Sequence, residues 1–239
     1  MVLLRIARKA AHRARWARNA VRAMGRRKVF CIGRNKTGTT SVQRALLELG
    51  YVVAPQEPAE LMIHDWARRD FRRLIRFCRW YEAFQDSPFS LPFTYQAVDM
   101  AFPGSKFILT VRDNAEQWYE SLTKFHAKLF GGGQLPTIDA LKAAHYRYRG
   151  FPYDMNRAIH RTPEGDPYQK DILIAHYKAH NDSVVEYFRH RPDDLLVMNV
   201  ADAGAYARFC EFLDKPCDRE TFPWENKTTD KPVRPVSCT

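Results

Sequence analysis

Within GRNKTGTT, residues 33 to 40, one lysine, two glycines and three threonines crowd a single turn. Lys36 supplies an ammonium, Gly38 lets backbone approach a ligand closely, and Thr37, Thr39 and Thr40 add hydroxyl and N–H donors. An apolar run, KVFCI, precedes the turn and SVQRALLELG follows it, so it stands between a buried strand and a helix. That placement aims N–H groups and the positive end of a helix dipole at an anion, and suits binding a phosphorylated ligand. A Lys/Gly/Thr turn with no ligand is the plainer reading.

The turn departs from a nucleoside-triphosphate loop of the form G-x-x-x-x-G-K-[ST]. Gly33 and Gly38 have the right separation, but Thr39 stands where that pattern has Lys, and the cation is Lys36, inside the turn. No clear acidic strand for magnesium accompanies it, which counts against an ATPase.

Two further positions could do chemistry. Arg112 follows an apolar run, FILTV, and Ser121 lies nine residues on, along the next helix. Arg donates a forked pair of charge-assisted hydrogen bonds and Ser one more, a set suited to a phosphate; a surface turn of Arg112 with Asp113 and a solvent-facing Ser121 are the competing reading. Asp86, in FQDSPF, follows the extended segment 81–85 and precedes Pro88, so its carboxylate sits at a strand end. It can take a proton as a general base, or close an Asx turn.

These groups need an α/β frame. We expect strands at 28–32, 107–111 and in DLLVMNV, an extended segment at 51–54, and helices through about Leu49, over most of 57–80, after Arg112 with Asp113 or Asn114 as cap, at 170–190 and in AGAYARFCEFL. Gly131–Gly133 interrupt one helix, and polar, turn-rich residues 134–168 read as a surface insertion over a pocket. The fold class is α/β: three layers, α/β/α, around a mainly parallel sheet with a modified phosphate loop. We expect a basic amphipathic helix or tail at 1–27, the enzyme domain at 28–230 and a tail at 231–239.

Charge is uneven. The net charge is +11, but the first 28 residues hold ten Lys or Arg and no acid, leaving 28 basic against 27 acidic residues beyond. A nucleic-acid groove across the body is therefore not expected, and no specific nucleic-acid partner. The segment VLLRIARKAAHRARWARNAVRAM has an apolar helical face and Trp16, which fits attachment to an anionic membrane surface; a helix packed on the domain, a mobile basic tail and nucleic-acid contact are the other readings. No apolar run approaches a bilayer-spanning length, and no export signal is evident. Cys31, Cys78, Cys210, Cys217 and Cys238 form no CxxC pair or metal spacing, so we expect packing roles, no metal, and a cytoplasmic protein, at most peripheral on a membrane's inner face.

The chain resembles the sulfotransferase superfamily, whose donor is 3'-phosphoadenosine 5'-phosphosulfate. RNKTGTTS is similar to its modified phosphate loop, KFILTVRDNAEQWYES to its 3'-phosphate segment, and FQDSPF to the strand-end motif carrying an acid–base residue; LLVMNV and FCEFLDKPCDRETFPWENKT resemble a compact microbial branch. The resemblance implies that Arg34, Asn35, Lys36, Thr37, Gly38, Thr39 and Thr40 hold the 5'-phosphosulfate end, with Lys36 stabilising charge on the oxygen between phosphorus and sulfur. It implies Arg112 and Ser121 on the 3'-phosphate and Asp86 as the base, where the cytosolic small-molecule branch commonly has His. The Arg–Lys–Gly segment of the best-known members is absent here, and its roles are not carried over.

Around these lie weaker candidates. His126 is a second candidate for acceptor binding or proton transfer; Tyr119, Lys124 and Phe125 are candidates for the pocket rim, and Trp118 is first a packing residue. Trp224 and Lys227 could close the nucleotide site, Lys227 near phosphate, or belong to an ordinary tail. The implied reaction is sulfuryl transfer to a hydroxyl, or less readily an amine, of a small molecule, lipid or glycan, giving adenosine 3',5'-bisphosphate. A phosphate-loop kinase and a non-catalytic anion-binding adaptor are the rivals.

Overall fold

The structure, a computed structural model, describes residues 17–19 and 21–223. The first sixteen residues, Trp224, Lys227, Cys238 and the expected tail lie outside the described residues.

Among the described residues, four short strands build one sheet: β1 (Val29–Cys31), β2 (Ala83–Phe84), β3 (Lys106–Thr110) and β4 (Leu195–Met198). All pairings are parallel, in the order β2-β1-β3-β4, with Val29 opposite Ala83, Phe30 opposite Phe107 and Ile108 opposite Leu196. β1 is buried on both faces, which is why its sequence is a continuous apolar run.

Successive strand side chains point to opposite faces, and the helices divide accordingly. Val29, Cys31 and Ile108 meet α1 (Thr39–Glu48) through Val42 and Leu46, and the last helix, which carries Tyr206 and Phe209. Phe30 and Phe107 face the other way, toward Phe84, Phe89, Val184 and Phe188, with Phe30 stacked on Phe84 at 4.7 Å between ring centres. The result is the three-layer α/β/α arrangement.

Between β1 and β2 the expected long helix is three short ones: α2 (Gln56–Glu60), α3 (Ile63–Ala67) and α4 (Arg72–Cys78). The break before α4 is held by Asp70, which accepts both the Arg72 N–H and its guanidinium. Next come α5 (Thr94–Ala101) before β3 and α6 (Ala115–Phe130) after it, the latter capped by Asn114, which accepts from Gln117 N at 2.8 Å. The extended segment 51–54 joins the sheet at one parallel bridge, Val53 opposite Ala83, where the Ala54 N–H donates to the Ala83 carbonyl at 2.9 Å and the Val52 carbonyl accepts the Glu82 N–H at 2.8 Å.

The expected insertion over a pocket does border a cavity, and it is helical: α7 (Ile138–Ala143) and α8 (Phe151–Ile159). Thr137 caps α7 and Pro152 occupies the first turn of α8, while Leu141 and Phe151 are buried, so the polar composition conceals an inward apolar side. Among the described residues, the last elements are α9 (Lys170–Phe188), β4 and α10 (Ala205–Phe212). No described helix is long and apolar enough to cross a membrane. Cys31, Cys78 and Cys210 are buried free thiols, and burial pushes Cys31 up to about 12, which leaves it without nucleophilic character near neutrality.

Candidate active site

All four strands deliver their carboxyl ends to the same side of the sheet, and the chain leaving them carries the residues singled out above. In an open α/β sheet this is where ligands bind.

The turn after β1 depends on two close approaches. A side chain at Gly33 would strike Thr110 on β3, and one at Gly38 would lie 2.4 Å from a Val200 methyl; Gly38 also adopts φ +98°, where glycine is at ease. Gly38 starts α1, whose first turn has neither a side-chain cap nor an acidic residue. Its N–H groups and positive field are therefore open to an anion. The Thr37 hydroxyl donates to the Arg34 carbonyl at 2.5 Å and pairs with the Thr110 hydroxyl at 2.6 Å. Thr37 is fully buried, so its side chain shapes the turn and does not face a ligand.

Lys36 lies in the left-handed region at φ +68°, with its ammonium 3.7 Å from the centre of the Phe125 ring. Burial, followed by repulsion from Arg112, lowers it to about 8. Arg112 donates from Nε to the Lys36 carbonyl at 2.6 Å, and its own N–H donates to the Tyr177 hydroxyl at 3.0 Å. The Asn35 carbonyl accepts the Trp118 indole N–H at 2.9 Å, and Trp118 stacks on Tyr177 at 4.6 Å. The aromatic pair from α6 and α9 thus braces the phosphate turn and the exit of β3 together.

Asp86 leaves β2 at φ +60°. Its Oδ1 accepts the Ser87 N–H at 2.7 Å and its Oδ2 the Gln56 amide at 3.2 Å. An Asx turn would need the N–H two residues on, but that residue is Pro88, which has none. Burial raises the Asp86 carboxyl above its ordinary value, opposed by the Ser87 N–H, Lys36 and Arg34. Arg34 is buried, donating to the Ser90 carbonyl at 3.2 Å; burial lowers it to about 10 while Asp86 opposes the shift.

One cavity of about 400 Å³ joins these groups. Arg34, Asn35, Lys36, Gly38, Thr39, Thr40, Asp86, Arg112 and Ser121 all line it. Of the expected site residues, Thr37 lies behind the lining and Lys227 lies outside the described residues. His126 also borders the cavity, with Nδ1 on the Tyr168 hydroxyl at 2.9 Å; burial, then Lys36, lowers it to about 4, so it is neutral at physiological pH. Lys124 is not at the rim, since it pairs with Glu120 on the exposed side of α6. Tyr119 turns toward the Tyr168 carbonyl.

Sequence reasoning missed several contributors. Gln56 and Glu60 of α2, Tyr146 before α8 and Phe151, Met155 and Ile159 of α8 line the cavity, and Arg147 pairs with Glu60. Among the described residues no three His, Cys, Asp or Glu side chains converge as a metal site. In comparisons with known proteins, the family model described as Sulfotransferase domain matches residues 28–230. No curated protein matches the chain.

Proposed function

The chain belongs to the sulfotransferase domain family, and on that premise we propose that it transfers the sulfuryl group of 3'-phosphoadenosine 5'-phosphosulfate to a hydroxyl on a small acceptor with an apolar body. The observation that carries this reading is the single cavity bordered by Lys36 and the open start of α1, by Arg112 and Ser121, and by Asp86.

The residues fit such a donor. Gly38, which leads into α1 at φ +98° and leaves no side chain to collide with Val200, and the uncapped first turn of α1 suit the 5'-phosphate and sulfuryl oxygens. Arg112 and Ser121 suit the 3'-phosphate, the feature separating this nucleotide from ATP. Lys36 offsets negative charge growing on the phosphate side.

In the transfer, the acceptor oxygen forms a bond to sulfur while the bond from sulfur to the bridging phosphate oxygen breaks. The electron pair leaves with adenosine 3',5'-bisphosphate, and Asp86 takes the acceptor proton. Burial raises the Asp86 carboxyl, which makes its ionised form a stronger base, while a backbone N–H and three cations oppose the shift.

The acceptor class follows from the remaining wall, where Phe130, Phe151, Met155 and Ile159 are apolar. Most of its polar side chains are already engaged: Asn156 donates to the Pro167 carbonyl and accepts from Thr162, and His126 is bonded to Tyr168, while His160 keeps a buried Nδ1 without a hydrogen-bond partner among the described residues. A polyhydroxylated glycan would leave hydroxyls unpaired there, which favours an acceptor with few polar groups.

The test is a titration with adenosine 3',5'-bisphosphate against ATP with magnesium, followed by a mass-spectrometric screen of acceptors for added sulfate. Preference for the bisphosphate and sulfation of apolar alcohols are expected. Preference for ATP with magnesium overturns the reading in favour of a kinase.

A further inference from the structure

Asp86 is not held by its own loop alone. The Gln56 amide nitrogen, on α2, donates to Asp86 Oδ2 at 3.2 Å and to Glu60 Oε1 at 2.8 Å. One –NH₂ group has two hydrogens, so each carboxylate receives one. Glu60 is 6% exposed, and its other oxygen accepts the Arg147 guanidinium from the turn between α7 and α8. Arg147 in turn lies over the Tyr146 ring at 4.4 Å. Two carboxylates thus share a single amide inside the cavity, and among the described residues only Glu60 of the two has an ion-pair partner in contact.

We propose that Gln56 and Glu60 are positioning residues for the proton-accepting carboxylate: Gln56 fixes the orientation of Asp86, and Glu60, anchored by Arg147, fixes Gln56. This rests on the sulfuryl-transfer reading. The Ser87 N–H holds one Asp86 oxygen and Gln56 the other, which leaves the carboxylate plane little freedom. A buried carboxylate bonded to the amide that grips the base is what orienting that amide requires, because an unpaired glutamine can rotate and present its oxygen to Asp86 instead.

The groups that set the charge at Asp86 are Arg34 and Lys36 from the turn after β1, Arg147 before α8, Glu60 and Gln56 from α2, the Ser87 N–H, and Cys31 and Tyr146, which are neutral near pH 7. Removing the Gln56 donor takes away a bond that favours ionised Asp86, so its titration moves up. Burial, then the charge of Asp86, raises Glu60 to about 7, so Glu60 is only partly ionised near neutrality; Glu60→Gln removes that partial charge and leaves Arg147 unopposed, and the titration moves down by less than a full neighbouring anion would move it. A merely structural role predicts no such opposition of sign.

The experiment measures kcat/KM against pH for full-length wild type, Gln56→Ala and Glu60→Gln, with adenosine 3',5'-bisphosphate affinity determined for each. In Gln56→Ala, kcat falls about tenfold and the acid limb moves up by about half a pH unit. In Glu60→Gln the limb moves down, and the bisphosphate affinity of both variants stays within about twofold of wild type. If Glu60→Gln does not fold, Gln56→Ala decides alone. Transfer by wild type with an unmoved limb in Gln56→Ala overturns the inference and spares the reading, as does loss of all transfer in Glu60→Gln with Asp86→Asn still active, which makes Glu60 the base. Wild type that neither binds the bisphosphate nor transfers sulfate overturns both.

Discussion

Arg112 donates from Nε to the main-chain carbonyl of Lys36 at 2.6 Å, 76 residues away in sequence. That bond ties the exit of β3 to the turn after β1, so the two groups assigned to opposite ends of the donor are fixed relative to each other before any ligand arrives. Positions set in advance need not be reorganised during reaction.

Lys36→Ala should abolish most sulfuryl transfer while leaving the fold intact, since Lys36 only partly fills the site. The pH dependence carries a sharper signature. The charged form is the active one, and burial lowers Lys36 to about 8. Activity that needs the ammonium is full below that value and lost above it. The profile of kcat/KM for the donor should therefore fall on the basic side near pH 8, whereas kcat, measured with the anionic donor bound, should hold to higher pH.

Gly38→Ala combines a left-handed backbone with a methyl aimed at Val200, 2.4 Å from the new Cβ. We expect a loss of about 1–3 kcal/mol in stability, read by urea unfolding, with weakened bisphosphate binding. Adding Val200→Ala removes the collision and leaves the backbone strain, so it should recover only part of the loss.

Asp86→Asn should keep bisphosphate affinity and lower kcat by about 10²–10⁴-fold. It should also melt higher than wild type at pH 7.5. The folded-state pKa of Asp86 is raised above its ordinary 3.8, so its contribution to stability is present below that ordinary value and lost as pH rises through the raised one. Melting curves of the two proteins should converge in acid, and a constant gap would contradict the assignment.

Tyr177→Phe removes the acceptor of the Arg112 N–H while preserving the ring that stacks on Trp118. The expected cost is about 1–3 kcal/mol in stability, since a partly buried donor loses its partner. Weaker bisphosphate binding should accompany it, measured by calorimetry, with the acceptor KM little changed.

The sequence reading reached the phosphate turn because its signals are local: an apolar strand, a glycine where the chain must turn left-handed, and the start of a helix within twelve residues, 29–40. Arg112 is legible for the same reason, at the end of a short apolar run, and Asp86 at the end of the extended segment 81–85. Thr37 shows the limit, because nothing near it says that its hydroxyl is committed to Thr110, 73 residues on. Gln56, Glu60, Arg147 and Tyr177 carry no local mark either; they become site residues only when α2, α8 and α9 are folded against the strand ends. The helices α7 and α8 escaped notice because six- and nine-residue helices give too few turns for an apolar stripe to stand out.

The cavity is walled by two kinds of structure, and they can change independently. The anion end is built from strand exits locked to one another across the sheet, where most alterations disturb several neighbours together. The opposite wall belongs to a helical excursion between α6 and α9 that pairs with no strand. Selection, or an engineer, can exchange side chains on α8 to suit a different alcohol without redrawing the machinery that grips the nucleotide.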